Sequence, residues 1–559
     1  MYLSLGMILR IMNKENLILI IARGGSTKNI SKQNLRLVNG KPLLYYVLNT
    51  SKSCKNCHTV VSTDSDEIAE YVKFFGVTVI KRSKTLTKDE TSLEKIGIDT
   101  LNQLKSNKKN FKKCLIIHPH FPLIKKSTIQ KFFKLINNNT KVVFGYEFDK
   151  YTKENFAKLQ NKNQVLQEHK QIVKLKKIVC FDCRQLLENK KFNEKIYGMP
   201  LTQEEIFSPN NYHDFATLEN VLNRKKIIVR VDGDINIGLG HVYNMLTVLN
   251  NIRNEDILIV MNQKKSLGKQ KFFEHLYNVK FFSNNQEFWS IIKKFKPDII
   301  FNDILSTEKT YVKKLKEFNL FVVNFEDLGE GRKFADLVFN PIFENKNKLN
   351  HEYYGSEYAC VRDEFRVFSR IKQKKKFSKI VITLGGVDKK NNSHRILSII
   401  NKFKLLKNIR IEIILGLGFK HKEKIQKISR EMNNRGFDIH VVEKVELLSK
   451  HMIDCDYVIT SNGRTVFEVA SLGIPLISLS VNKRERQHNF VENNKVGYHI
   501  DFTQKESDLV LKKYIKQMEK MENRKRFISN LQKQNLRKGI DKVTSIILTE
   551  YESKKLFVG

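Results

Sequence analysis

The sequence predicts an α/β protein built from mostly parallel sheets with helices on both faces, and three observations carry that prediction. First, strand-length apolar runs recur along nearly the whole chain: NLILIIA (16–22), TVVSTD (59–64), CLIIHP (114–119), KIIVRVD (226–232), DIIFND (298–303), FVVNFED (321–327), KIVITLGG (379–386), RIEIILG (410–416) and DYVITSNG (456–463). They are apolar throughout rather than alternating, as expected of strands buried on both faces. Second, helical segments such as 92–104 and 505–520 lie between or after them, the order of βαβ units. Third, 41% hydrophobic and 10% aromatic residues are ample for several packed cores and too many for a disordered chain.

At roughly 100–200 residues per domain, 559 residues imply three or four folding units. Two boundaries stand out. Near 223–226 a helix-like ATLENVLNRKK gives way to the strand KIIVRVD, and RIKQKKKFSK (370–379) reads as a basic linker. The expected domains are therefore 12–222, 226–370 and 378–550. The Lys-rich stretch 504–555 reads as a solvated closing helix. The opening MYLSLGMILRIMNKE lacks the basic start and small-residue cleavage site of a signal peptide. Met12 is the expected start, and 1–11 an extension.

The longest apolar run, 17–22, is far short of the ~20 residues that cross a bilayer, so no membrane span is expected. Seven dispersed cysteines fit reduced thiols in a cytoplasmic protein. The net charge of +41 admits two readings: a polyanionic partner, or A/T-rich codons that enrich Lys, Asn, Ile and Phe together. No base-stacking or groove-reading motif is visible, so nucleic acid is not an expected partner.

After the first strand comes Ala22-Arg23-Gly24-Gly25-Ser26, then Lys28, Lys32 and Asn34. A glycine-rich turn after a strand lets backbone N–H groups approach phosphate, and nearby cations neutralise it. With NGKPLLYYVL (39–48), VVSTDSDEIAEYVKFFGVTVIKR (60–82) and Tyr197-Gly-Met-Pro200, this pattern resembles the acylneuraminate (CMP-sialic acid type) cytidylyltransferases over 16–222. The resemblance implies a Rossmann-like nucleotidyltransferase domain with a mixed, mostly parallel sheet. It also implies transfer of CMP from CTP to a nonulosonic acid, with Mg²⁺ on the phosphates and a homodimer formed through this domain. It places Arg23, Gly24, Gly25 and Ser26 at CTP, with Lys28 and Asn34 as helpers.

The chain departs from that family in its glycine-rich loop, which is one residue longer, and in two further places. The Gln-Pro-Thr-Ser-Pro-Leu-Arg-like segment is replaced by His118-Pro119-His120-Phe121-Pro122-Leu123-Ile124. The metal-binding Asp-x-Asp becomes Asp214-Phe215-Ala216, which leaves Asp214 as the expected metal ligand. A non-catalytic nucleotide-binding domain therefore stands as the alternative. Two Cys-x-x-Cys pairs, Cys54/Cys57 and Cys180/Cys183, read as ordinary thiols rather than zinc ligands. Residues three apart on the strand IVCFDC point to opposite faces.

In the second half, KIIVRVD leads into Gly-Asp-Ile-Asn-Ile-Gly-Leu-Gly-His241, and a helix is expected over 242–250. A His at such a turn is placed for proton transfer, or is simply structural. The segments RVDGDINIGLGHVYNMLTV, NFEDLGEGRKFADLVFNPIF (324–343), Tyr358-Ala-Cys-Val-Arg-Asp-Glu-Phe365, ITLGGVD (382–388) and SNGRTVFEVASLGIPLISLSVNKRERQHN (461–489) resemble the UDP-sugar hydrolases of pseudaminic acid synthesis. They are also similar to the spore-coat polysaccharide proteins. The resemblance implies a two-lobed glycosyltransferase-B-type fold that needs no cofactor.

That resemblance places a UDP-sugar diphosphate at Gly385, Gly386, Asn462, Gly463, Arg464 and Thr465. It puts the ribose at Glu468, with Gln487 and Asn489 near the sugar or phosphates, and makes His241 the base. Asp232 either orients His241 or is a strand-end residue. Two departures stand out: Asn244 where the hydrolases have Arg, and Asn302-Asp303-Ile304-Leu305 where they have a Tyr-bearing strand end, so that Asp303 is a candidate for the polar role. The expected function is a nucleotide-sugar enzyme of nonulosonic acid synthesis. The alternative is a glycosyltransferase of surface polysaccharide synthesis with a non-catalytic first domain.

Overall fold

A computed structural model describes residues 15–25, 30–87, 91–147, 158–160, 175–192, 195–234, 238–252, 255–368, 376–443 and 445–558. The expected extension 1–11, Ser26, Lys28 and most of the linker 370–379 lie outside them. The chain divides into two compact units, Met1–Asn223 and Arg224–Gly559.

The first unit is built on an eight-stranded sheet in the order Thr78–Lys81, Cys57–Thr63, Asn16–Ile21, Lys113–Ile117, Leu175–Asp182, Val142–Glu147, Lys195–Leu201, Lys158–Gln160. The first four strands are parallel, whereas Leu175–Asp182 runs antiparallel to both of its neighbours. The central strand shows why its sequence is apolar without alternation. Side chains alternate between faces, so Leu17, Leu19 and Ile21 enter one core while Ile18 and Ile20 enter the other. Cys54, Cys57, Cys114, Cys180 and Cys183 are buried thiols, and burial pushes the Cys180 thiol well up.

The second unit holds two all-parallel sheets. The first-lobe order is Asn278–Phe282, Asp256–Asn262, Lys226–Val231, Ile299–Asp303, Phe321–Phe325, Leu337–Asn340, Glu352–Tyr354. The second-lobe order is Asp438–Val442, Arg410–Ile414, Lys379–Thr383, Tyr457–Ser461, Leu476–Ser480, Gly497–Asp501. In each sheet the order reverses beside the first strand, which opens a crevice at the carboxyl ends of the strands.

The end of the chain corrects the expectation of a solvated helix. The helix Gly539–Val558 returns to the first lobe and buries Ile540, Val543, Ile547 and Tyr551 in its core. Arg366 holds Asp541 at 2.9 Å, tying this helix to the end of the first lobe. The helices Ser507–Glu519 and Met521–Gln532 bury Leu511, Ile515, Met518 and Phe527 in the second-lobe core. Residues 224–559 produced alone are therefore expected to be folded and to melt cooperatively. A fragment without secondary structure by circular dichroism would overturn this division of the chain.

Candidate functional site

The crevice of the second unit encloses about 500 Å³, within the usual size of a small-ligand pocket. Its first-lobe wall begins at the helix Gly240–Asn251, which starts just beyond the first strand and carries His241 on its first turn. His241 is only 2% exposed. Its Nδ1 is hydrogen-bonded to the carboxylate of Asp303, the buried last residue of the strand Ile299–Asp303. A carboxylate only accepts, so Nδ1 carries a proton, and in the neutral ring Nε2 keeps the lone pair. Asn244 Nδ2 donates to the other Asp303 oxygen at 2.7 Å, one helical turn from the imidazole.

Asp303, not Asp232, therefore orients the histidine. Asp232 is buried but pairs with Arg230, with Lys265 at 3.6 Å, and does not line the crevice. Asp232 thus stands at the strand end, paired with Arg230.

The second lobe contributes two arginines. Arg464 donates to Asn244 Oδ1, and its Nη2 lies 2.7 Å from Glu326 Oε1 and 3.8 Å from Asp303 Oδ2. Arg484 pairs with the other Glu326 oxygen and presents Nη1 to His241 Nε2 at 3.4 Å. Burial works against the Glu326 charge, but Arg464, Arg484 and His241 outweigh it and hold its carboxyl below the usual range. Arg464 thus brings a guanidinium beside Asn244, the position where an arginine was missing from the sequence pattern.

Gly385 and Gly386 line the crevice with Gly463, Arg464 and Thr465. Gly385 takes φ 78, a conformation that favours glycine. The Asn462 side chain lines the wall as a loop staple, donating to the carbonyls of Glu485 and His488, both at 2.8 Å. Glu468 also lines the crevice and is gripped by Arg362 through bonds of 2.6 and 3.2 Å.

Gln487 and Asn489 do not line the crevice; both are exposed, and Asn482 and Arg484 line it instead. The residue between them explains this. His488 is buried against Phe467 and Phe490, where burial holds its pKa at about 4, and its neighbours face outward. Sequence reasoning did not single out Glu326, Arg362 or Arg484. All three stand inside the quoted motifs, but only the fold shows that they converge.

In the first unit, Gly24 N–H donates to Asp64 at 2.9 Å, and a Cβ on Gly24 would stand 2.5 Å from that of Ser65. Only glycine fits there, so the strand-end loop closes tightly. Asn34 is buried and donates to the Arg23 carbonyl at 2.9 Å, which makes it a brace of that loop. Arg23 and Gly24 are partly exposed, and Gly25 is exposed.

His118 and His120 stack edge to face at 4.0 Å between ring centres. Burial, then Arg23 and Lys177, hold His120 at about 4, and burial, then His120 and the same cations, hold His118 well below its ordinary value. Both are neutral imidazoles at pH 7.

Asp214, the expected Mg²⁺ ligand, is engaged within its own helix start. Asp214 lies in the first turn of the helix Tyr212–Leu222, where its carboxylate accepts the Asn210 N–H at 2.7 Å and its own N–H meets the Asn211 cap at 2.9 Å. Among the described residues, no group of three His, Cys, Asp or Glu could hold a metal ion.

Comparison with known proteins agrees with this division of the chain. Residues 17–216 match the family model described as cytidylyltransferase. An uncharacterized protein of Methanocaldococcus jannaschii is 28% identical over 281 residues, 47% of this chain and 57% of that protein. Pseudaminic acid cytidylyltransferase of Campylobacter jejuni is 30% identical over 154 residues, 27% of this chain and 66% of that enzyme. The spore coat polysaccharide biosynthesis protein SpsG of Bacillus subtilis is 22% identical over 261 residues, 44% of this chain and 75% of that protein. The chain thus spans little more than half the length of its Methanocaldococcus relative. It joins a cytidylyltransferase-like domain to a unit of two parallel-sheet lobes. Among the described residues, no helix is long and apolar enough to cross a membrane.

Proposed function

We propose that the chain works on activated sugars of a nonulosonic, sialic-acid-like pathway. The second unit acts on a UDP-sugar, and the first binds CTP or a CMP-containing ligand through Arg23 and the Gly24–Gly25 loop. The observation that carries the reading is the His241–Asp303 pair at the wall of a crevice that also holds Arg464, Arg484 and Glu468.

In this reading Nε2 of His241 takes the proton of an incoming hydroxyl as its oxygen bonds to the anomeric carbon. The bond from that carbon to the diphosphate oxygen breaks, and UDP leaves with the electron pair. Asp303 stabilises the imidazolium that forms, while Arg464 and Arg484 face the charge that develops on the diphosphate. Glu468 accepts from the ribose hydroxyls. To the first unit we assign nucleotide binding at that loop.

The incoming hydroxyl is that of water in a hydrolase and of a sugar in a glycosyltransferase. The departures at Asn244 and at Ile304-Leu305, together with the spore-coat relative, favour keeping the second reading. The test is incubation of the full chain with a panel of UDP- and CMP-sugars, with and without sugar acceptors, while nucleotide release is followed. UDP released without acceptor supports hydrolysis, and UDP released only with acceptor supports transfer. No release from any UDP-sugar would overturn the assignment of the second unit.

A further inference from the structure

Glu326 follows the strand Phe321–Phe325 with φ 52, a left-handed conformation that costs a non-glycine residue energy unless its surroundings hold it. The surroundings do hold it. The Glu326 N–H donates to the Phe339 carbonyl at 2.8 Å. The neighbouring Asp327 carboxylate accepts from the Thr307 N–H and hydroxyl, Asn324 Nδ2 and the Gly329 N–H at 2.9, 2.5, 2.6 and 2.8 Å. This network delivers a carboxylate whose side chain is 2% exposed to two guanidinium groups of the opposite lobe.

Two arginines directed at one crevice repel each other unless an anion lies between them. Asp303 serves only in part, because it is hydrogen-bonded to His241 and Asn244 and lies 3.8 Å from Arg464 Nη2. Glu326 serves, but imperfectly. Arg464 Nη2 and Glu326 Oε1 are 2.7 Å apart, yet both atoms are buried with no hydrogen-bond partner, so the contact is coulombic without the directional bond. A buried donor in that condition costs free energy until an acceptor reaches it. A diphosphate, with oxygens in several directions, supplies acceptors that one carboxylate cannot.

We propose that Glu326 is an internal stand-in for the diphosphate of a nucleotide-sugar, holding Arg464 and Arg484 across the crevice and yielding them to the substrate's phosphates. The inference rests on the second unit binding a nucleoside diphosphate, as proposed above. Glu326 also keeps Arg484 against Nε2 of His241, the atom that must be free to take a proton. Binding of the phosphates thus draws the arginine off the base. Glu326 is accordingly a positioning residue that competes with the ligand whose place it keeps.

Competition gives the test a sign that a merely structural residue does not share. Glu326→Gln keeps the shape and removes the charge. Calorimetric affinity for UDP is expected to rise about tenfold, the worth of roughly one charge-assisted hydrogen bond. Affinity for uridine, which has no phosphates, should stay unchanged, and turnover should fall. A folded Glu326→Gln protein that binds UDP equally or more weakly overturns the proposal, as does uridine tightened as much as UDP. If Glu326→Gln does not fold, Glu326→Asp draws the carboxylate back by one methylene and decides in the same way. A wild-type chain that does not bind UDP overturns the underlying reading instead, so the two failures are told apart.

Discussion

Replacing His241 by alanine is expected to lower turnover of the second unit by about 10²–10⁴-fold, the usual worth of a positioned base, while UDP affinity stays near wild type. The imidazole is held from behind by Asp303 and faces the crevice with Nε2, so it touches the reacting hydroxyl rather than the nucleotide. Asp303→Asn should act in the same direction for a specific reason. Asn244 donates to one oxygen of residue 303. An asparagine at 303 would turn its carbonyl to that donor and its NH₂ to His241 Nδ1. The imidazole would then carry its proton on Nε2 and could not accept another.

Steady-state kinetics with calorimetric UDP binding checks both variants. Wild-type turnover in His241→Ala would remove its role as a base. A loss of activity matched by an equal loss of folded protein would make the residue a packing histidine.

Glu468→Ala is expected to weaken UDP by about 1.5–3 kcal/mol, the size of a hydrogen bond to a charged group. The carboxylate is already gripped by Arg362, whose guanidinium also reaches Glu364 at 2.8 Å and lies over the ring of Tyr243. Such a grip fixes the carboxylate before the ribose arrives. It also means that Glu468→Ala strands a mostly buried cation, so the melting temperature should fall as well. Arg362→Gln separates the two effects, because it loosens Glu468 without removing it. UDP should weaken there too, by less than in Glu468→Ala. Unchanged UDP affinity in Glu468→Ala would show that the ribose does not lie at this carboxylate.

Much of this architecture was legible in the chain. Unbroken apolar runs marked strands buried on both faces because side chains of a strand alternate between two cores, as Leu17 and Ile18 do. His241 was legible because a Gly-x-Gly-His turn after a strand is local chemistry, readable within nine residues. Asp303 was visible as a polar strand end, but its pairing with His241 was not. The two are 62 positions apart and meet only because the strands Lys226–Val231 and Ile299–Asp303 lie side by side. Asp214 shows the converse: the motif suggested a metal ligand, and the helix start at Tyr212 employs it as a cap.

By itself, then, the sequence determined the α/β class, the two-part organisation and the strand-end loops. These depend on short-range periodicity and on turn chemistry within a few residues. Only the tertiary structure decided which charges share the crevice. Glu326, Arg464 and Arg484 come from different lobes, as many as 158 positions apart, and no local pattern encodes their meeting. It also decided that the last helix is a core element of the first lobe. Its apolar side chains at 540, 543, 547 and 551 sit on one face, and the core residues that cover them lie between 227 and 358, too far along the chain for a local pattern to name.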